Sequence, residues 1–182
     1  VRGSGPDVIL IPGLASTSAV WDRTAKALEG RYRVHLVTVR GFGELAAQSN
    51  ASGALSGPVA GELARYIHEQ GLSAPALIGH SMGGQIALRI AATRPDQISR
   101  VMVVDSSPFF PSLISAGATR ADVEPLAGLV YQGLMLFGDT ALRTTAQSAG
   151  VELGGASDAV FGSLGWQGGD RRVLAQGLYE VM

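Results

Sequence analysis

A glycine-flanked serine inside a strand-to-helix junction is the feature of this sequence that most constrains its fold. Between residues 76 and 92 an apolar strand pattern gives way to a helical pattern, with only Gly79-His80-Ser81-Met82-Gly83 at the junction. Because no loop separates the two patterns, the chain must turn in one tight bend at Ser81. Side chains two places before and after the serine would collide with the neighbouring strand and helix. Glycine at 79 and 83 removes their Cβ atoms.

The predicted bend gives Ser81 the surroundings of a nucleophile. It projects the hydroxyl from the edge of the sheet and leaves the serine backbone beside the N-terminus of the following helix. Unpaired N–H groups and the positive end of the helix dipole there favour a developing negative charge. The alternative is a glycine-rich strand–helix turn that carries a passive serine.

Composition narrows the class of protein. The 182 residues are 46% apolar and carry a formal net charge of -1, so no basic surface for nucleic acid is indicated. No apolar run approaches the roughly 18 residues of a membrane-spanning helix. The absence of cysteine excludes disulfides and a thiolate nucleophile, and it leaves the cellular compartment open. With only three histidines, we expect neither a metal site nor a cofactor.

Strand and helix patterns alternate over the first part of the chain. Strands are predicted near 7–12, 32–39, 76–78 and 100–105, with helices between them, the first of which Ser18 is expected to cap. This alternation predicts an α/β fold with a mostly parallel sheet and helices on both faces. Ligands then bind beyond the carboxyl ends of the strands. Four residues fall just after strands and should lie at this edge: Leu14, Gly41, Ser81 and Asp105.

The pattern changes after Pro108. Helical windows follow at about 122–137, 139–149, 156–165 and 170–182, without a convincing strand. We expect residues 1–110 to form the α/β core and residues 111–182 a helical lid, because helices that pack on a sheet should lead into further strands. The alternative is that these helices pack on the sheet in the ordinary way.

Several stretches together resemble the α/β-hydrolase family: Ile11-Pro-Gly-Leu14, Arg40-Gly-Phe-Gly43, Gly79-His-Ser-Met-Gly83 and Val103-Val-Asp-Ser-Ser-Pro108. The resemblance implies a serine hydrolase with a Ser–acid–His triad in which Ser81 is the nucleophile. It also implies an oxyanion hole formed by the backbone N–H groups of Met82 and Leu14. A serine at this position argues against the haloalkane dehalogenase and epoxide hydrolase branches. Carbon–carbon bond hydrolases, lactonases and perhydrolases share the serine.

The catalytic base is missing from the sequence pattern. The family takes this histidine from a segment after its eighth strand, whereas His35, His68 and His80 fall in a strand, in a helix and beside the nucleophile. We expect each to be structural. Asp105 is either the triad acid or the cap of the turn that follows it.

In the strand order that the resemblance implies, a further strand would pair with the outer side of the last predicted strand. That strand is absent from the sequence, so the edge of the sheet is left uncovered. We therefore expect a further polypeptide segment, outside the 182 residues, to complete the sheet and supply the base, together with the acid unless Asp105 serves as the acid. The expected function is hydrolysis of a small carboxylic ester or related acyl substrate through a Ser81 acyl-enzyme. The alternatives are a ligand-binding or interaction protein, or an inactive fragment, on a hydrolase scaffold.

Overall fold

The computed structural model describes residues 1–113, 115–138 and 167–182. Within these ranges the strands are β1 (Asp7–Ile11), β2 (Arg33–Leu36), β3 (Ala76–His80) and β4 (Arg100–Val104). They form one sheet in the order β2-β1-β3-β4, and every neighbouring pair is parallel. The prediction of a parallel α/β sheet is confirmed.

Helices separate the strands as the alternation predicts. They are α1 (Asp22–Leu28), α2 (Ser56–Glu69) and α3 (Met82–Thr93), followed by α4 (Arg120–Phe137) and α5 (Arg171–Val181). Short 3-10 helices lie at Ser18–Trp21, Gln48–Ala51, Pro95–Gln97 and Phe110–Leu113. None of these described helices is long and apolar enough to cross a membrane.

Both faces of the sheet are covered by helices, because alternate strand residues point to opposite sides. On one face Val8 and Leu10 of β1 form a buried cluster with Trp21 and Ala25 from the segment that contains α1. On the other face Ile9, Ile11 and Leu77 are no more than 1% exposed, and α3 lies against β1 and β3. The helices therefore sandwich the central strands.

Strand β4 forms one edge of the sheet in the described part of the chain. Its Met102 and Val103 side chains are 58% and 41% exposed. A groove of about 690 Å³ runs beside it, lined by residues that include Tyr32, Ile78 and Met102. An edge strand with exposed apolar side chains is unusual for an uncovered protein surface.

The chain divides into two compact units. The first consists of Val1–Gly13, Thr17–Val39 and Leu55–Pro108, and it contains the sheet with α1 to α3. The second consists of Leu14–Ser16, Arg40–Ala54 and Phe109–Met182.

Within the second unit α4 packs on α5. The rings of Tyr131 and Tyr179 meet edge-on at 5.9 Å, and the Arg120 guanidinium lies 4.6 Å from the Tyr179 ring centre. The helices predicted at 122–137 and 170–182 are thus present, whereas those at 139–149 and 156–165 fall outside the described residues. The function of 111–182 as a lid stays a prediction.

The cap of the first helix differs from the predicted one. Thr17 rather than Ser18 precedes the helical turn, and its Oγ1 accepts the N–H of Ala19 at 3.3 Å. The Ser18 N–H instead donates to Thr38 Oγ1 at 2.9 Å. Since adjacent Thr and Ser have similar capping preferences, the sequence alone does not choose between them.

Candidate active site

Ser81 forms the whole of the turn between β3 and α3. The strand ends at His80 and the helix begins at Met82, so a single residue reverses the chain direction. Ser81 has φ 52° and ψ −124°, in the left-handed half of backbone space that side-chain-bearing residues rarely adopt. The tight bend predicted from the sequence is confirmed, and Ser81 itself is partly exposed.

The flanking glycines lie where a side chain has no room. A Cβ atom on Gly79 would stand 2.2 Å from the Gly83 carbonyl oxygen at the start of α3. A Cβ on Gly83 would stand 2.4 Å from the Ile11 carbonyl oxygen and 2.5 Å from that of Pro12. These partners are backbone atoms, which cannot move aside as a flexible side chain can. The predicted collisions with the helix and with the neighbouring strand both occur.

Hydrogen bonds from the end of β4 hold the bend in place. The Ser81 N–H donates to the Val104 carbonyl at 3.0 Å, and the Ser81 carbonyl accepts the Ser106 hydroxyl at 2.8 Å. Gln85 Nε2 donates to the Ser107 carbonyl at 3.0 Å. Ser106 and Gln85 were missed by sequence reasoning, because a Ser-Ser-Pro turn and a helical Gln carry no distinctive pattern.

The Met82 N–H lies in the first turn of α3, and Met82 itself is fully buried. As the first helical residue it has no carbonyl one turn earlier in the helix to bond. Its N–H makes no backbone hydrogen bond to any residue in the described ranges. The positive end of the helix dipole adds to its attraction for an anion. Its part in an oxyanion hole remains a prediction.

Gly13 lies directly against the bend. A Cβ on Gly13 would stand 3.1 Å from Ser81 Cβ and 3.0 Å from His80 Nδ1, so the loop after β1 approaches the serine closely because it has no side chain there. Leu14 follows Gly13 in the chain, and its carbonyl accepts the Ser16 hydroxyl at 3.3 Å. The Leu14 N–H stays a predicted second oxyanion donor.

No hydrogen bond to Ser81 from any of the three histidines is found among the described residues. His35 is 5% exposed, and its Nε2 lies 2.9 Å from Asp7 Oδ1 while its Nδ1 lies 2.8 Å from the Tyr66 hydroxyl. His68 is exposed on α2, and His80 is half-buried beside Gly13.

Asp7 is the first residue of β1, so the His35 contacts lie at the amino ends of the strands, whereas Ser81 lies at their carboxyl ends. Its carboxylate also pairs with Arg33, whose Nη2 donates to Oδ2 at 3.0 Å. Hydrogen bonding from Arg33, and to a smaller extent from His35, holds the Asp7 pKa below 3.8, although burial acts in the opposite direction. Because the network is remote from Ser81, we assign it a structural role.

Asp105 follows β4 as Ser81 follows β3. The preceding residues, Val104 and His80, are register partners in the sheet. Asp105 is exposed and has φ 46°, which again lies in the left-handed region. No capping hydrogen bond to its carboxylate is present in the described part of the chain, so its assignment as triad acid or turn residue stays open. The described residues also include no group of three or more acidic or histidine side chains that could hold a metal ion.

The model of the alpha/beta hydrolase fold family matches residues 6–154, which is most of the sequence. The chain belongs to the alpha/beta hydrolase fold family. Its junction of β3, Ser81 and α3 is the structural context in which this family's Gly-x-Ser-x-Gly motif has meaning.

Known members of this family include esterases. The pimeloyl-[acyl-carrier protein] methyl ester esterase of Vibrio cholerae is 34% identical over 123 residues, which cover 68% of this chain and 46% of that protein. A marine microorganism esterase of known structure is 26% identical, with a TM-score of 0.54, over 68% of this chain and 54% of that one. The esterase EaEST from Exiguobacterium antarcticum is 18% identical with a TM-score of 0.70 over 99% of this chain and 67% of its own, which supports the fold alone. The chain spans less than half the length of the curated relatives it matches.

Proposed function

We propose that the protein is a serine hydrolase that cleaves a carboxylic ester, or a related acyl compound, through an acyl-enzyme on Ser81. The observation that carries this proposal is the strained bend, with φ 52° at Ser81, directly before the helix N-terminus. Such strain costs about 1–3 kcal/mol and persists where the surroundings enforce it, most often at functional sites. The names of the similar proteins, which are esterases, support the same reaction class.

The proposed reaction begins when a base removes the proton from the Ser81 hydroxyl as its oxygen attacks the ester carbonyl carbon. The carbonyl electron pair moves onto oxygen, and this oxyanion accepts hydrogen bonds from the Met82 N–H and the Leu14 N–H. When the tetrahedral intermediate collapses, the alcohol leaves with the proton from the base. Water then gives a proton to the same base as its oxygen attacks the acyl carbon, the bond to Ser81 Oγ breaks, and the carboxylic acid leaves as Ser81 regains its proton. Loss of one oxyanion donor typically costs about 3–4 kcal/mol.

The base and the acid belong, in this proposal, to a polypeptide segment outside residues 1–182 that also pairs with β4. His35, His68 and His80 make no hydrogen bond to Ser81 among the described residues, and the exposed Met102 and Val103 offer an apolar edge for pairing. The greater length of the curated relatives is consistent with such a segment. Asp105 is the alternative acid within the chain.

The substrate is proposed as a small-molecule acyl ester, without a cofactor. The name of the Vibrio cholerae relative specifies the methyl ester of a pimeloyl group on a carrier protein. Methyl esters of acids of increasing chain length are therefore the first compounds to test, with a pimeloyl methyl ester among them. A ratio of kcat/KM values across this series defines the preferred acyl group.

Reaction with a fluorophosphonate tests the proposal. This reagent phosphonylates an activated serine, and peptide mass spectrometry locates the adduct. In the natural gene product at its full length we expect rapid labelling of Ser81 alone, complete loss of labelling in Ser81→Ala, and no change in Ser73→Ala, which alters an exposed serine before β3. Ester hydrolysis should disappear with the label.

The same experiment separates the alternative functions. A folded full-length protein in which Ser81 does not react, and in which Ser81→Ala leaves any hydrolysis unchanged, contradicts the enzymatic proposal. That outcome would favour a ligand-binding or interaction protein on the same scaffold.

A further inference from the structure

The Ser81 carbonyl is held by a side chain from a different strand. It accepts the Ser106 hydroxyl at 2.8 Å, in addition to two N–H groups from the first turn of α3, that of Gly84 at 2.8 Å and that of Gln85 at 3.4 Å. We propose that Ser106 is a positioning residue that aims the Met82 N–H at the developing oxyanion by holding the other end of the same peptide group. This inference rests on the proposed function, because it requires Ser81 as the nucleophile and Met82 as an oxyanion donor.

The planarity of the peptide bond links the two ends. In a trans peptide the carbonyl of one residue and the N–H of the next lie in one plane and point in opposite directions. No cis peptide bond occurs in the described chain. A partner that fixes the direction of the Ser81 carbonyl therefore also fixes the direction of the Met82 N–H. Ser106 thereby acts on the oxyanion donor without touching the substrate.

An external partner is needed because the bend has no intrinsic preference for this orientation. The φ of 52° and ψ of −124° at Ser81 lie outside the well-populated backbone regions. The Gly84 N–H bond is local to the turn and moves with the helix, whereas Ser106 belongs to the segment that follows β4. Among the described residues, the Ser106 hydroxyl is the one partner that connects this carbonyl to the sheet side of the bend.

The position of Ser106 is itself tightly fixed. A Cβ atom added to Gly84 would stand 2.5 Å from both the Cβ and the Oγ of Ser106, so the serine side chain rests directly on the helix backbone. On either side of it, the Val104 carbonyl accepts the Ser81 N–H and the Ser107 carbonyl accepts Gln85 Nε2. The segment from 104 to 107 thus holds both the strand side and the helix side of the bend.

Ser106→Ala in the natural full-length protein tests the inference. Removal of the hydroxyl leaves the Ser81 carbonyl with its bonds from the Gly84 and Gln85 N–H groups, so the fold should persist while the direction of the Met82 N–H becomes less fixed. We expect kcat for ester hydrolysis to fall about tenfold, less than the loss of a whole oxyanion donor, with KM unchanged. The affinity for a trifluoromethyl ketone, which forms a tetrahedral oxyanion on the serine, should fall by a similar factor.

A matched control removes a comparable bond from the far end of α3. The Thr93 hydroxyl donates to the Arg89 carbonyl at 2.7 Å, and Thr93→Ala should leave kcat and ketone affinity unchanged. Gly84→Ala is a second variant, because its new Cβ would push the Ser106 hydroxyl away and should lower kcat and ketone affinity together. Circular dichroism and urea unfolding establish that each variant is folded.

The outcomes separate this inference from the proposed function. If wild-type Ser81 reacts with the fluorophosphonate but Ser106→Ala has a wild-type kcat and ketone affinity, the positioning role is overturned and the proposed function stands. A fall in kcat without a parallel loss of ketone affinity also overturns it, because the ketone adduct carries the same oxyanion and would then still be bound as tightly as before. If wild-type Ser81 does not react at all, both proposals fail.

Discussion

Ser81 adopts a backbone conformation that costs about 1–3 kcal/mol, and glycines around it leave the space that this conformation requires. Glycine at 79 and 83 removes two backbone collisions, and glycine at 13 lets the loop after β1 approach the serine. The stored strain is local, so single-atom changes at these positions should have large effects.

Gly83→Ala tests the permissive role of glycine. The added Cβ would meet the Ile11 and Pro12 carbonyl oxygens at 2.4 and 2.5 Å, so α3 or β1 must shift. We expect the free energy of unfolding to fall by about 2–4 kcal/mol and Ser81 labelling to slow sharply. Urea unfolding followed by fluorescence measures the first effect.

Gly61→Ala on α2 is the matched control. Nothing lies within 4 Å of a Cβ at this exposed helical position. The change should raise the free energy of unfolding by about 0.5–1 kcal/mol, because alanine favours the helix. Equal effects of the two substitutions would contradict the steric account.

Much of the bend could be predicted from the sequence, because the Gly-x-Ser-x-Gly spacing expresses steric limits that act between residues close in the chain. The hydroxyl of Ser106 could not be assigned in this way. Its partner is 25 residues away in the sequence, and their contact depends on β3 and β4 being neighbours in register.

At the scale of elements, a buried polar network joins β1, β2 and α2. Asp7 is ionised and accepts hydrogen bonds only, so His35 Nε2 carries the proton that faces it, while Nδ1 shares a hydrogen bond with the Tyr66 hydroxyl. The network lies at the amino end of β1, opposite to the edge that carries Ser81. It should therefore affect stability rather than catalysis.

Tyr66→Phe leaves the buried Nδ1 of His35 without its hydrogen-bond partner. We expect a loss of about 1–2 kcal/mol in the free energy of unfolding, with an unchanged rate of Ser81 labelling. Tyr32→Phe is the control, because no hydrogen bond to the Tyr32 hydroxyl is present in the described part of the chain. A slowing of labelling in Tyr66→Phe would contradict the separation of the two edges.

The start of α5 should respond to pH. Asp170 caps this helix by accepting the Arg172 N–H at 2.9 Å, and its carboxylate pairs with the Arg172 guanidinium at 2.6 Å. Hydrogen bonding to Arg172 lowers the pKa of Asp170 from 3.8 to about 2. Because the pKa in the folded state is the lower one, the contribution to stability is complete above pH 4 and is lost as the pH falls towards 2.

Asp170→Asn keeps an acceptor for the helix cap but removes the titrating charge. It should lower the free energy of unfolding by about 1–2 kcal/mol at pH 6 and by less at pH 3. Urea unfolding at the two pH values measures the difference. A constant effect at both values would show that the charge of Asp170 does not matter.

Element types followed from periodicity, whereas their ends depended on tertiary contacts. The second strand was predicted over 32–39 but β2 covers Arg33–Leu36. The Val37 N–H still donates to the Leu10 carbonyl, but the partner strand ends one residue later, at Ile11, so the ladder does not continue. The sequence pattern of a strand indicates its tendency to adopt an extended conformation, but it does not indicate where the strand that pairs with it ends.

At the scale of the molecule, the alternation of strands and helices and the junction at Ser81 were sufficient to predict the α/β-hydrolase fold. The edge position of β4 also followed from the expected strand order. Helices α4 and α5 were predictable only as helical segments, because their packing on each other depends on contacts between residues far apart in the chain.

If a further segment supplies the base, as we propose, the reactivity of Ser81 should depend on that segment. The chain of residues 1–182 alone should react with the fluorophosphonate at least about 100-fold more slowly than the natural full-length protein, since general-base assistance contributes about that much. Time courses of Ser81 labelling at equal concentrations provide the comparison. Equal rates would mean that the base lies within the 182 residues.

A crystal structure of the fluorophosphonate-treated protein shows where the phosphonyl oxygen, which stands for the oxyanion, lies relative to the bend at Ser81. We expect phosphorus bonded to Ser81 Oγ and a phosphonyl oxygen within about 2.7–3.1 Å of the Met82 nitrogen. A phosphonyl oxygen directed away from an unbonded Met82 N–H, or an adduct on a different residue, would contradict this expectation.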